Sequence, residues 1–366
     1  MHMLRWLGLI ALAWVPDPLL AAEKNPAALT PEEIRAGWIN LFDGETLFGW
    51  NVDGPATVKD GAIRIAPGKP VKLMPTAYFG PIQGFQIISQ GTLRLSVDRT
   101  DGTVGPVSTF GLPPQVGFKI EHKMPNDLPS TTSSVAGSFH HDADPRKELK
   151  QSVCVLETDG KSEAIIYAVR VRPFMPTLLF NGKDLTGWKK FEGDPKRVAS
   201  RFEVTPAGEL HVKNGPGDLQ TTGSYDNFCL QLECKTNGKA LNSGIFFRCI
   251  PDQYQNGYEM QIQNAFLNGD RTKPADFGSG AIYRRIAARK VVADDNDWFA
   301  MTLLANGPRL RTWVNGYPTV DWVDERKAND NPRQGLRTAA GHLSIQGHDP
   351  TTDLLFRDMR IGTLPK

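Results

Sequence analysis

One phrase is written twice in this chain, and it limits the folds open to it more than any other feature. Residues 39–50 read INLFDGETLFGW and residues 177–188 read TLLFNGKDLTGW. Phe42, Gly44, Leu47, Gly49 and Trp50 map onto Phe180, Gly182, Leu185, Gly187 and Trp188. Each copy reads as a strand running into a D-G or N-G turn, after which a Trp re-enters the core. A repeat at domain spacing means tandem units. The first spans 36–172 and the second 176–366, joined by RVRPFMPT, whose Pro173 and Pro176 favour an extended link. Beyond its marker the first unit continues strand–turn–strand through WNVDGPATVKDGAIRI, then loses its likeness to the second and carries a polar loop at PNDLPSTTSS. Gly (35) and Pro (27) are abundant, and long stripes of helical period are scarce. The chain therefore reads as all-β: two tandem antiparallel β-sandwiches, the first degenerate. One short helix is expected at TPEEIRAGW, with Thr30 as N-cap, Pro31 first in the helix and Glu32 and Glu33 in its first turn.

The second unit alternates apolar and polar residues throughout. In NSGIFFRCIPDQYQNGYEMQIQN, Ile245 and Phe247 share one face of a strand, and Gly244, Phe246 and Arg248 share the other. Tyr258, Met260 and Ile262 oppose Glu259, Gln261 and Gln263 in a second strand, and Pro251, Asp252, Asn256 and Gly257 supply the turn between them. Phe228, Leu230, Leu232 and Cys234 alternate with Gln231, Glu233 and Lys235; Leu343 and Ile345 alternate with His342, Ser344 and Gln346. Asn315-Gly316 is a hairpin turn that leaves Arg311 and Trp313 on one face. If the strands belong to one sheet, Glu233, Arg248, Glu259, Gln261, Gln346 and His348 line a polar cleft suited to a sugar, with Tyr258 or Trp313 as aromatic surface at its rim. A solvated sheet face explains any one of these strands as well, and all of them less well.

Lys plus Arg (42) nearly balances Asp plus Glu (40), so no field favours nucleic acid or an anionic membrane. Residues 1–22 read as an export signal: Arg5, the apolar run WLGLIALAW, then LLAA with cleavage after Ala22, an uncleaved anchor being the alternative that Asp17 and the two prolines leave open. No later run approaches a membrane span, and the expected location is periplasmic or secreted. Cys154, Cys229, Cys234 and Cys249 form no C-x-x-C pair and fit no zinc spacing. Buried free thiols are expected, with a bond from Cys249 to Cys229 or Cys234 as the alternative.

The motifs FNGKDLTGW, NSGIFFR, GYEMQIQN, GSGAIY, WVNG, GHLSIQGH and FRDMRI, in order across 177–366, resemble the 3-keto-disaccharide hydrolase family, also described as 3-keto-α-glucoside 1,2-lyase/3-keto-2-hydroxyglucal hydratase. The first unit resembles it only through the opening marker. The resemblance implies a concanavalin-like jelly roll acting on glycosides already oxidised at C3. Such a ketone acidifies the C2 proton, so a base can remove it, the C1 substituent can leave, and water can add to the enone. On this reading Glu259 or His348 is the base, Arg248 stabilises the enolate, and Tyr283 is the acid. Gln261 and Gln346 orient hydroxyls, and Glu233, Asn242 and Trp313 complete the substrate contacts. A divalent metal ion held by Glu259 and His348 is the alternative electrophile. The chain departs from the family pattern at Asn264, where an aspartate is usual, and at Gly347, where an acidic residue commonly precedes the histidine. Two other classes compete: a non-catalytic carbohydrate-binding protein, and an orthodox glycosidase, whose carboxylate pair could come only from Glu157, Asp159 and Glu163 in ETDGKSE.

Overall fold

A computed structural model of the chain describes residues 28–80, 82–99, 108–112, 118–120 and 152–364. The export signal and the PNDLPSTTSS loop lie outside the described residues. Pro31–Arg35 is the expected short helix, closed by a capping box in which Thr30 Oγ1 accepts from Glu33 N–H while the Glu33 carboxylate accepts from Thr30 N–H. No helix among the described residues is long and apolar enough to cross a membrane.

The first unit turns on one long strand, Ile82–Arg99, whose two halves join different sheets. Its first half pairs with Ala164–Pro173 and its second with Ser152–Thr158. The changeover falls at Gly91, at φ +91, where a Cβ would run into the Glu163 carbonyl; glycine is what allows the corner. Asp159-Gly160 is a turn, with Gly160 at φ +72, and Glu157 pairs across strands with Lys72, so ETDGKSE forms no carboxylate pair along one strand.

In the second unit an 8-stranded sheet faces a 5-stranded one. The larger sheet runs Arg201–Val204, Leu210–Lys213, Asp353–Thr363, Phe228–Thr236, Trp298–Asn306, Arg309–Val314 and Tyr317–Val323, with Thr177–Leu178 added beside Asp353–Thr363. The smaller runs Trp188–Lys190, Gly217–Thr221, His342–Gly347, Ser243–Cys249 and Tyr258–Ile262. Their inner faces bring Leu230, Leu232, Ile245, Phe247, Met260, Met301, Leu303 and Ile345 into one core. The structure is an all-β jelly roll. Cys229, Cys234 and Cys249 are buried free thiols whose pKa values burial pushes up, that of Cys229 to about 12.

The two markers fold alike. Trp50 Nε1 donates to Leu41 O at 2.9 Å, and Trp188 Nε1 donates to Leu179 O at 2.7 Å. Gly49 and Gly187 sit at φ +80 and +87, conformations open to glycine. The first marker is also an interface. Asp43 pairs with Arg289 at 2.7 Å, Glu45 with Lys290 at 2.5 Å, and Thr76 donates to Asp321 at 2.5 Å.

Two expected site residues fall on this interface. Trp313 is fully buried, donates from Nε1 to Asn40 O at 2.8 Å and packs on Phe79, so it is core between the units and not the rim of a cleft. Glu233 lies on the outer face of the larger sheet, bonded to Arg357 at 2.5 Å, beside a cavity of about 470 Å³ between the units that Trp38 and Gln231 also line. Neither reaches the smaller sheet, because the outer faces of two stacked sheets point in opposite directions.

Candidate functional site

The outer face of the smaller sheet is assembled in rows by strand register. One row runs Gln220, Ser344, Phe246, Glu259. The next places Asp218 beside Gln346 and Gly244 beside Gln261. Each of these residues alternates with a core residue (Leu219, Ile345, Ile245, Met260), so apolar burial on one side projects polar groups on the other.

Glu259 lies on Tyr258–Ile262, the edge strand of this sheet. It is 7% exposed, and its carboxyl makes no hydrogen bond among the described residues. The space it occupies exists because residue 244 is glycine: a Cβ there would lie 2.6 Å from Glu259 Oε1. Burial, joined by Asp276 and Asp218 and opposed by Arg333 and Arg284, raises its pKa to about 8. The Arg333 guanidinium lies over the Phe246 ring at 5.5 Å while its Nε donates to Gln255 O at 2.9 Å. Arg284 lies over the Tyr283 ring at 5.3 Å, and Tyr283 N–H donates to Glu259 O at 2.9 Å.

Two carboxylates flank the face. Asp276 Oδ2 accepts from Gln261 Nε2 at 3.1 Å and from Asn242 Nδ2 at 2.8 Å, which gathers Asn242 and Gln261 into the site. Asp218 accepts from Gln255 Nε2 at 3.0 Å and from Gln255 N–H at 3.3 Å. Gln255 Oε1 accepts in turn from Gln346 Nε2 at 3.3 Å. Burial lifts the Asp218 pKa to about 6 against these bonds. Beyond Gln255, Tyr254 packs on Phe191 and carries Arg197 over its ring at 4.9 Å.

Glu259, Gln261, Gln346, Asn242 and Tyr283 are thus neighbours on or beside one face. Arg248 is not among them. The pairing with His342–Gly347 slips between Phe246 and Cys249, and Arg248 itself sits at φ +50. That bulge turns its side chain inward, where it is fully buried and donates to the carbonyls of Asp226, Gly307 and Arg337. His348 lies past the end of its strand, exposed, with its ring paired to Asp349 at 2.8 Å. Among the described residues no group of three or more His, Cys, Asp and Glu could hold a metal ion. His348 is exposed past the end of its strand and its ring is paired with Asp349, so Glu259 and His348 are not brought together as a metal pair.

Of the two departures from the family pattern, the one at Gly347 has a local account. Asn264 Oδ1 accepts from Ser279 Oγ at 2.6 Å. At Gly347 a Cβ would collide with Ser200 Oγ and, at 2.5 Å, with Asn214 O, so no side chain of any charge fits. Asp218, Gln255, Asp276, Arg284 and Arg333 were not foreseen. Alternation around Leu219 in GDLQT marks Asp218 and Gln220 as outward-facing; the other four sit on connecting segments, where no period signals them.

No curated protein matches the chain by sequence. Among solved structures it is similar to a provisionally assigned glycosyl hydrolase from Parabacteroides distasonis, at 23% identity and TM-score 0.42 over 52% of this chain and 94% of that one. A second provisionally assigned glycosyl hydrolase from that organism has 23% identity and TM-score 0.36 over 48% and 99%. A carbohydrate binding module from Bacillus subtilis has 16% identity and TM-score 0.34 over 48% and 96%. The family model of the 3-keto-alpha-glucoside-1,2-lyase-like domain matches residues 175–362. That stretch is just over half of the 366 residues and takes in every strand of both sheets of the second unit but the final residue of one, and the chain belongs to this family.

Proposed function

We propose that this carbohydrate-active, 3-keto-disaccharide hydrolase-like protein cleaves 3-keto-glycosides by elimination of the aglycone followed by hydration of the enone. Glu259 carries the reading: a buried, unbonded carboxyl whose pKa of about 8 makes its ionised form a strong base for a carbon acid. Glu259 takes the proton from C2, and the electron pair forms the enolate of the C3 ketone. Expulsion of the C1 oxygen then gives the enone. Arg333 and Arg284, the cations that Glu259 feels, replace Arg248 as the groups facing the developing enolate charge. Tyr283, held beside Glu259 by its backbone, supplies a proton to the departing oxygen. Water adding to the enone completes the balance, with Glu259 returning its proton at C2.

The test is incubation of the purified chain with a 3-keto-disaccharide beside its unoxidised parent, following aglycone release. Release from the keto form alone is expected. Release from both would favour an orthodox glycosidase. Binding without release would make the protein a carbohydrate-binding module.

A further inference from the structure

Two buried glutamines on the site face carry side-chain oxygens with no donor. Gln261 is wholly buried and Gln346 is 6% exposed, and neither Oε1 has a hydrogen-bond partner. Leaving a buried acceptor unpaired costs about 1–3 kcal/mol, so two on one face, in the row that contains Gly244, ask for donors from elsewhere.

Their orientation is dictated from behind. A carboxylate can only accept, so the amide facing it must present its NH2. Asp276 therefore takes Gln261 Nε2 and leaves Gln261 Oε1 without a donor. Asp218 takes Gln255 Nε2; Gln255 must then offer its Oε1 to Gln346, which answers with Nε2 and turns its own Oε1 outward. The Glu259 carboxyl, from the neighbouring row, leans over Gly244 and in its ionised form adds further acceptors.

We propose that Asp276 directly, and Asp218 through Gln255, lock Gln261 and Gln346 so that these two amides present acceptors to the site and select ligands by hydroxyl groups that donate to them. The inference rests on the sugar reading of the site. It also orients the substrate: a C3 carbonyl, itself an acceptor, is repelled by these oxygens and turns toward Arg333 and Arg284, while hydroxyls face down. Asp218 is a positioning residue here, and Gln346 is the group it positions.

The experiment titrates the full chain with methyl glucoside, which lacks the C3 carbonyl, and with its monodeoxy and monodeoxyfluoro analogues at C2, C4 and C6. Fluorine can accept weakly but cannot donate. At one or more positions the deoxy and the fluoro analogue should both lose about tenfold in Kd, the worth of one hydrogen bond. In Asp218→Asn the residue no longer dictates which way Gln255 turns. The parent sugar should bind about tenfold more weakly and the fluoro analogue at the sensitive position should lose little more. Gln255→Met should repeat this with Asp218 intact. A fluoro analogue that keeps the affinity its deoxy partner loses would overturn the proposal. So would analogues that all bind alike, which would mean trapped water satisfies the glutamines. So would natively folded Asp218→Asn and Gln255→Met proteins that both discriminate as the unaltered chain does. Turnover of a 3-keto-disaccharide is measured in parallel. Its absence, with the analogue pattern intact, overturns the elimination reading alone; its presence without the pattern overturns only the acceptor pair.

Discussion

A glutamate at 7% exposure with a pKa of about 8 is protonated in roughly nine of ten molecules at pH 7. The base form in the proposed elimination therefore grows with pH, and turnover should climb on the acid side and level off above about pH 8. Glu259→Gln keeps the shape and removes the basicity, and should lower kcat by about 10²–10⁴. The same residue sets a stability signature. Its folded pKa lies above the ordinary 4.5, so the folded state holds the proton longer, and stability falls as pH rises from about 4.5 to about 8. The Gln variant lacks that slope, and its Tm at pH 8 should exceed that of the unaltered chain by about 2 °C or more. Variants with unchanged pH profiles in both assays would remove Glu259 from the mechanism. Gly244→Ala probes the neighbouring space. Its Cβ would sit 2.6 Å from Oε1 and 2.8 Å from Cγ of Glu259, atoms of a side chain that can swing aside. The fold should persist while kcat drops about tenfold or more as the carboxyl is displaced; wild-type kcat would show that the position of Glu259 over Gly244 does not matter.

The strand is the scale at which sequence pattern carries information, and its failures follow from what a strand is. Alternation held along Tyr258–Ile262 because that strand is regular, so Glu259 and Gln261 share a face as their spacing required. It failed at Arg248 because one residue with positive φ resets the phase, and nothing in NSGIFFRC announces that slip. Glu233 failed differently: its outward-facing parity was right, but parity does not say to which of two sheets a strand belongs. Asn315-Gly316 was legible because a two-residue turn with positive φ at both positions has few sequence solutions, and both residues adopt it at +48 and +74. Arg333 and Asp276 were illegible because connecting segments have no period. The bulge gives its own prediction. Arg248→Met strips donors from the carbonyls of Asp226, Gly307 and Arg337 and should cost about 2–4 kcal/mol in urea unfolding. Activity per folded molecule should stay near that of the unaltered chain. A large fall in kcat at unchanged stability would return Arg248 to the site.

Across the whole molecule, the first unit does more than precede the second. Export remains an expectation from residues 1–22, checked by mass spectrometry of protein recovered from its host: a mature terminus after Ala22 supports it and an intact Met1 refutes it. Cys229, Leu304 and Trp313 of the second unit belong to the same buried cluster as Phe42, Leu73 and Val169 of the first. Residues 176–366 alone would expose that face, so the excised unit should melt well below the full chain or aggregate. Its loss of activity would then be ambiguous, and a point change in the full chain separates the causes. Arg289 bonds Asp43 and Thr46 of the first marker and lies 4.1 Å over the Phe48 ring. The segment that ends at Arg289 also carries Asp276, which sets Gln261, and Tyr283 and Arg284 beside Glu259. Arg289→Ala leaves both cores intact and unpins that segment from the first unit. If the first unit serves as the buttress of the site, KM for a 3-keto-disaccharide should rise several-fold while Tm shifts by only a few degrees. A variant with unaltered KM and kcat would show that the segment holds its shape without the first unit, and that the packing between the units serves stability alone.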